Sequence, residues 1–462
     1  MPNRLSRFAL LLLLAATAAG AATPADQIYR HGRIFTADSD NRVVEAIAIR
    51  KGRLVYVGDD AGVAAFVGAR TKVHDLAGGF AMPGLVDGHM HPMEGGVRSI
   101  GCNLTYDPLT VAQFQARLQK CLDADSAHEP DGWLEATNWF QQALQPSGTV
   151  AHKSMLDALK TRRPIIVRDA FGHTVLANSR ALAAAHISRA SEDPPGGRIN
   201  RDAAGEPNGL LEDSAHAVFG TLIPPLTPRE YEAAARAALA EMAAQGLTTV
   251  LDADTPEHAM RAFQAVHKAG GLTLRMHFAA EMAIADMQNP AAAIKRVLDL
   301  RAKYDGGPIG VKPGLTLRNA KFYIDGVISG PAFTGAMLEP YLVNAGTADA
   351  PRWVPGTSRG PEPYYAVGPL ADLMTRLGRA GIDPHLHVDG DRAVRTGLDA
   401  VAILRANLPG KDVRVAFAHD EIVHPDDYGR FRSLGVYPVL SMQWEKPAPD
   451  TVDQTRDYFG PA

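Results

Sequence analysis

The apolar and polar positions of this chain fall into two regimes. From residue 27 to 78 the apolar residues come in short runs. Ile28-Tyr29, Arg33-Ile34-Phe35-Thr36, Ala46-Ile47-Ala48-Ile49 and Arg53-Leu54-Val55-Tyr56-Val57 read as strands, with Gly32, Lys51-Gly52 and Gly58-Asp59 as the turns between them. After Gln245-Gly246 the pattern becomes regular. Strands are predicted at Leu247 to Asp252, Leu272 to Phe278, Ala320 to Asp325, His385 to Asp389, Val413 to His419 and Val436 to Met442. Helices are predicted between most of them, at Glu257 to Lys268, Pro290 to Lys303, Leu370 to Ala380, Arg392 to Ala406 and Pro425 to Leu434. Strand and helix in alternation imply a parallel sheet, and this many units imply a barrel. The apolar run before His89 supplies a first strand, which makes seven. The chain stops at Ala462, so an eighth strand is expected to be missing. The expected fold is an α/β, TIM-like (β/α)8 barrel, incomplete by one strand, with a small N-terminal β-sandwich domain and a large insertion.

The insertion spans residues 100–235. Trp133 to Ala136 and Pro164 to Arg168 read as strands, Ala181 to His186 and Glu230 to Gln245 as helices, and Pro194-Pro195-Gly196-Gly197 as a loop. The implied division is 23–79 for the small domain, 80–99 for the first barrel strand, 100–235 for the insertion and 236–462 for the rest of the barrel. Residues 1–22 stand apart. Arg4 and Arg7 precede the apolar run Phe8 to Leu14, and small residues follow to Ala22. This pattern predicts a secretory leader and export, periplasmic or secreted, with no stable membrane insertion after cleavage.

Charge narrows the partners. A net charge of -4 without a long basic run argues against nucleic acid and for a small-molecule substrate, and it leaves homo-oligomerisation open. The two cysteines, Cys102 and Cys121, would be free to bridge in an oxidising compartment, though sequence alone cannot set their distance.

In a barrel of this kind the reactive groups sit at the C-terminal strand ends. Met82-Pro83-Gly84-Leu85-Val86-Asp87-Gly88-His89-Met90-His91-Pro92 ends strand one in His-x-His. Side chains alternate faces along a strand, so His89 and His91 point the same way and make half of a metal site. Strand four carries Lys321 and Asp325, strand five His385 and His387, and strand six ends in His419. Imidazoles from three strands of one barrel are a metal-binding pattern. Lys321 and Asp325 could instead form an ordinary ion pair.

These motifs, with Gly172-His173, Asn178-Ser179, Lys321 to Gly326 and Gly390-Asp391-Arg392-Ala393, resemble the metal-dependent amidohydrolase superfamily, and within it the branch similar to N-substituted formamide deformylase. The resemblance implies that His89 and His91 bind a first divalent metal and His387 and His419 a second. It implies that Lys321 is carboxylated and bridges them, and that one or two ions, zinc foremost, activate a water. Lys321, His387 and His419 are thus the expected catalytic set. His173, Asn178, His385 and Asp325 are expected on the substrate side, with structural roles open for His173 and Asn178 and a ligand-supporting one for His385. Ala418 stands before His419 where many relatives carry Glu. Relatives also continue into a strand-eight Gly-Ser-Asp motif whose Asp serves as general base. No such motif follows Gln443, and Asp450, Asp453 and Asp457 do not match it.

The implied activity is hydrolysis of a carbon–nitrogen bond, other than a peptide bond, in a small amide or N-formyl compound. Two alternatives stay open: an impaired remnant that only binds metal or ligand, and a lactonase or phosphoester hydrolase on the same barrel.

Overall fold

The computed structural model describes residues 22–125, 132–169, 174–194, 197–308, 310–328, 333–347, 350–441 and Phe459. Residues 1–21, which hold nearly all of the predicted leader, His173, Gln443, Asp450, Asp453 and Asp457 lie outside them. The chain forms two compact units that divide between Gly84 and Leu85.

The first unit is built from a four-stranded and a three-stranded sheet. Gln27–Arg30 pairs antiparallel with Ala46–Arg50 and parallel with Lys72–Asp75. Ile28, Ala46, Ala48 and Val63 are its buried core. Phe80–Ala81 pairs with Arg33–Phe35 and so belongs here. Val43–Val44 and Lys72–Asp75 are too short or too polar to show an alternating pattern, which is why sequence periodicity passes over them.

In the second unit seven strands lie side by side in chain order, all parallel. They are strand one (Leu85–Met90), two (Leu247–Asp252), three (Arg275–Glu281), four (Gly314–Tyr323), five (Asp383–Val388), six (Val415–His419) and seven (Val436–Leu440). Strands three and four run about a half-strand away from their predicted bounds. Leu315, Thr316 and Leu317 are buried without alternation, so period two is lost there. The helices fall where the apolar period places them, Glu257–Lys268 and Pro425–Leu434 to the residue. Local chemistry sets their ends. Thr227 and Glu230 form a capping box on Pro228–Ala244, and Gly381 and Gly435 end their helices with φ of 72° and 63°. Phe278, Phe322, Leu386, Val388 and Phe417 fill the main core with the helices, each such side chain contributing roughly 2–3 kcal/mol. The barrel is nearly closed. A Val439 methyl on strand seven lies 3.6 Å from where a Cβ on Gly88 of strand one would stand. Among the described residues no eighth strand joins these two edges.

The insertion forms its own six-stranded mixed sheet, with Leu134–Trp139 and Ile165–Asp169 at the predicted strands. Cys102 and Cys121 are disulfide-bonded and tie an edge strand to the helix Val111–Ala124. Trp139 packs on Phe114 and Trp133 on Phe219, so both tryptophans are packing residues of the insertion. No described helix is long and apolar enough to cross a membrane.

The turn from strand five into the helix Asp391–Asn407 matters most for the site. Asp325 ties it down: Oδ1 accepts from Asp389 N at 3.0 Å, and Oδ2 accepts from Gly390 N and Ala336 N, both at 2.9 Å. Gly390 sits so close to this loop that a Cβ there would lie 2.3 Å from the Ala336 carbonyl oxygen. Gly390→Ala should therefore cost about 2 kcal/mol, within the usual range for overpacking. Its unfolding midpoint by circular dichroism should drop by several degrees, whereas Gly95→Ala, with nothing near its Cβ position, should change it little.

Candidate metal centre

Period two along each strand brings the reactive residues to one mouth. Parallel pairing sets Lys321 beside His385 and Tyr323 beside His387, and the next pair places His387 beside Ala418. The rings converge from strands one, five and six. Centroid distances are 5.3 Å for His89–His91, 5.0 Å for His89–His385, 4.6 Å for His89–His419 and 4.5 Å for His387–His419. Lys321 is fully buried, its Nζ 4.5 Å from the centre of the Tyr323 ring. Tyr323 donates from its hydroxyl to Asp254 Oδ2 at 3.1 Å.

Burial sets the protonation. It lowers His385 to about 3 and His387 to about 4, with the Lys321 charge adding to both. Burial, then His387 and Lys321, lowers His419 to about 2, and His89 and His91 are held below the ordinary imidazole range by the same causes. All five rings are thus neutral near pH 7, the form that binds a metal. The Lys321 amine is lowered to about 8 by burial, against the pull of Asp254 and Asp389.

Hydrogen bonds then decide which nitrogens are available. The Gly326 carbonyl only accepts, so His387 must donate to it from Nε2 (2.7 Å), which leaves its Nδ1 as a lone-pair donor. His89 Nδ1 and His385 Nε2 share a hydrogen bond of 2.8 Å, and His419 Nδ1 shares one of 2.9 Å with Ser441 Oγ. His89 Nε2, His385 Nδ1 and Lys321 Nζ are buried without a hydrogen-bond partner. Buried polar atoms without partners are rare in folded proteins. Neutral imidazoles gathered at one mouth are donors that suit a divalent cation, so the residues present fit a metal.

Some residues expected on the substrate side have other duties. Asp325 spends its carboxylate on the three backbone amides named above, and Lys321 makes no hydrogen bond to it. Asn178 takes the structural of its two readings. It is buried, accepts from Ile165 N and Ala181 N, and donates to the Arg163 carbonyl, holding a strand to the helix Ser179–Ala184. His385 is buried behind His89 and orients it.

The mouth also holds carboxylates that the motif reading passed over. Asp389 is buried, its Oδ1 3.8 Å from His387 Nε2. His387, Asp389 and His419 form a group whose ligand atoms all lie within 4.8 Å of one another. Asp420 and Glu421 follow His419, and burial raises them to about 8 and about 7. The signal for Asp389 was present in the sequence. It stands two residues after His387, as His387 stands two after His385, within the strand predicted at His385 to Asp389, where period two would put all three on one face. In the structure the strand ends at Val388 and Asp389 opens the turn.

Known proteins match this architecture. The chain is 28% identical over 425 residues to Protein LONG AFTER FAR-RED 3 of Arabidopsis thaliana, covering 91% of this chain and 68% of that one. It is 22% identical over 439 residues to an N-substituted formamide deformylase of Arthrobacter pascens, covering 91% and 74%. The crystal structure of an uncharacterized metal-dependent hydrolase from Pyrococcus furiosus superposes with a TM-score of 0.65 at 21% identity, over 89% of this chain and 76% of that one, and so shares its fold. The model of the Amidohydrolase family matches residues 72–455, most of the chain and every described residue of the mouth, and this chain therefore belongs to the amidohydrolase family.

Proposed function

We propose that this protein is a metal-dependent hydrolase that cleaves a carbon–nitrogen bond, other than a peptide bond, in a small amide or N-formyl compound. The observation that carries the reading is the convergence of five imidazoles from three strands on one another, with Lys321 paired beside His385. His89 and His91 would hold one ion and His387 and His419 a second, with zinc a good match to an imidazole-rich set. A divalent ion bound there supplies a Lewis acid that polarises a carbonyl and makes water nucleophilic near neutral pH.

The chain's own residues do the rest. Gly326 fixes the His387 tautomer, and His385 fixes the ring of His89. Groups of this kind are worth about 10–100-fold in metal affinity or activity. Lys321 lies close enough to neutrality to add carbon dioxide as a carbamate, giving it two oxygens where the bare amine has no partner. The amide specificity is supported by the family and by the Arthrobacter relative. A lactone or a phosphoester is the competing electrophile, since the same donors would serve it.

The first test is elemental analysis of the purified protein beside a His89→Ala/His91→Ala variant. Stoichiometric zinc in the wild type, reduced in the variant, is the expected result. Hydrolysis of small N-substituted formamides should fall by more than roughly 100-fold in the variant, given that even residues that only orient ligands cost 10–100-fold. A folded protein without stoichiometric metal, or one that turns over lactones or phosphoesters but no amide, would overturn the proposal.

The second test concerns Lys321. Carbon dioxide adds only to the neutral amine, and a folded-state value of about 8 makes that form more abundant as pH rises from 6 to 8. Protein stripped of metal at pH 6 should recover activity with zinc plus bicarbonate faster at pH 8 than at pH 6. Lys321→Arg should show no bicarbonate dependence.

A further inference from the structure

We propose that Asp389 is a ligand of the metal held by His387 and His419, so that strands five and six carry a complete two-histidine, one-carboxylate site that loads independently of the strand-one pair. The inference rests on the metal-binding reading above.

Two buried carboxylates of the same mouth make the case by contrast. Asp325 and Asp389 are each 1% exposed. Asp325 accepts three backbone N–H bonds and is satisfied. Among the described residues Asp389 has both carboxylate oxygens buried with no hydrogen-bond partner, as has Asp420, but Asp389 is the one grouped with two histidines. Its backbone, however, is held on both sides. Its N–H donates to Asp325 Oδ1, and its carbonyl accepts from Ile422 N, each at 3.0 Å. The chain thus fixes the backbone of Asp389 and leaves the side chain nothing to bind.

Protonation alone does not resolve this. A neutral carboxylic acid has an O–H to donate, and among the described residues neither oxygen has an acceptor. The imidazole of His387 does not serve, because the hydrogen on its Nε2 goes to Gly326. A cation shared with His387 and His419 satisfies the carboxylate, and their ligand atoms lie within 4.8 Å of one another. Two imidazoles, one carboxylate and an open position form a recognised type of catalytic zinc site. All three ligands sit on adjacent paired strands or the turn that leaves them, so the group does not depend on strand one.

The test is zinc titration against a chromophoric chelator, with the unfolding midpoint as the check on folding. His89→Ala/His91→Ala should retain one zinc per chain, and adding Asp389→Asn should weaken that ion by at least roughly 10–100-fold. Asp399→Asn, on the helix Asp391–Asn407 and paired with Arg430, is the control. It lies outside the mouth and should leave zinc binding unchanged. Equal zinc affinity with and without Asp389→Asn would overturn the proposal, as would complete loss of zinc from the histidine double variant while the wild type binds it. A wild type without zinc would instead defeat the functional reading itself. Should Asp389→Asn fold poorly, Asp389→Cys loaded with cobalt(II) gives a separate answer. A thiolate-to-cobalt charge-transfer band is expected if position 389 is a ligand, and a cobalt spectrum without that band would overturn the assignment.

Discussion

The site depends on one buried carboxylate, that of Asp325. Strand four ends there, strand five turns there, and the loop at Ala336 crosses there, and its two oxygens hold all three through backbone N–H groups. Burial drives its affinity for a proton up to about 7, and the three amides pull the other way. Hydrogen bonds to an ionised group contribute about 1.5–3 kcal/mol each, enough to hold a turn that lacks the ladder of a strand. Because the turn is fixed, His387, two residues upstream, presents Nε2 to Gly326, and Gly390 presses against Ala336 too closely for any side chain. The ligand geometry of strand five thus follows from a residue on strand four that need not touch metal or substrate.

Around that anchor the mouth divides into satisfied and unsatisfied polar groups. Asp325 has its hydrogen bonds and acts as structure. His89, His385, Lys321 and Asp389 each keep a buried atom without a partner. Leaving a buried polar atom unpaired costs about 1–3 kcal/mol, more for a charge. Such groups collected in one place form a site whose partner arrives from outside the chain. The backbone at strand six is consistent with this. His419 and Asp420 have φ of 81° and 50°, a conformation that non-glycine residues adopt at a cost of order 1–3 kcal/mol. Bonds from Asp420 N to the Val388 carbonyl and from Ile422 N to the Asp389 carbonyl hold it there and lock strand six to strand five.

Much of this was legible in the chain. The strand and helix alternation gave seven strands in their order because each strand's outer face is apolar and each helix carries a matching stripe. The His-x-His pattern and the imidazoles of strands five and six were legible because strand ends in a barrel all face one mouth. Less legible were features without a period. The two-residue strands of the small domain exist only through their partners. The roles of Asn178 and Asp325 depend on which backbone amides the fold brings to them, and motif position carries no trace of that. Asp389 was within reach of the period-two argument, but attention to histidines passed over it.

The contrast between Lys321 and Asp389 shows how the two halves of the mouth relate. Each is buried, each keeps a side-chain atom without a hydrogen bond among the described residues, and no ion pair joins them. Two such groups in direct contact would neutralise each other and close the site to a cation. The amine, lowered toward neutrality by burial, becomes available for chemistry rather than for an ion pair.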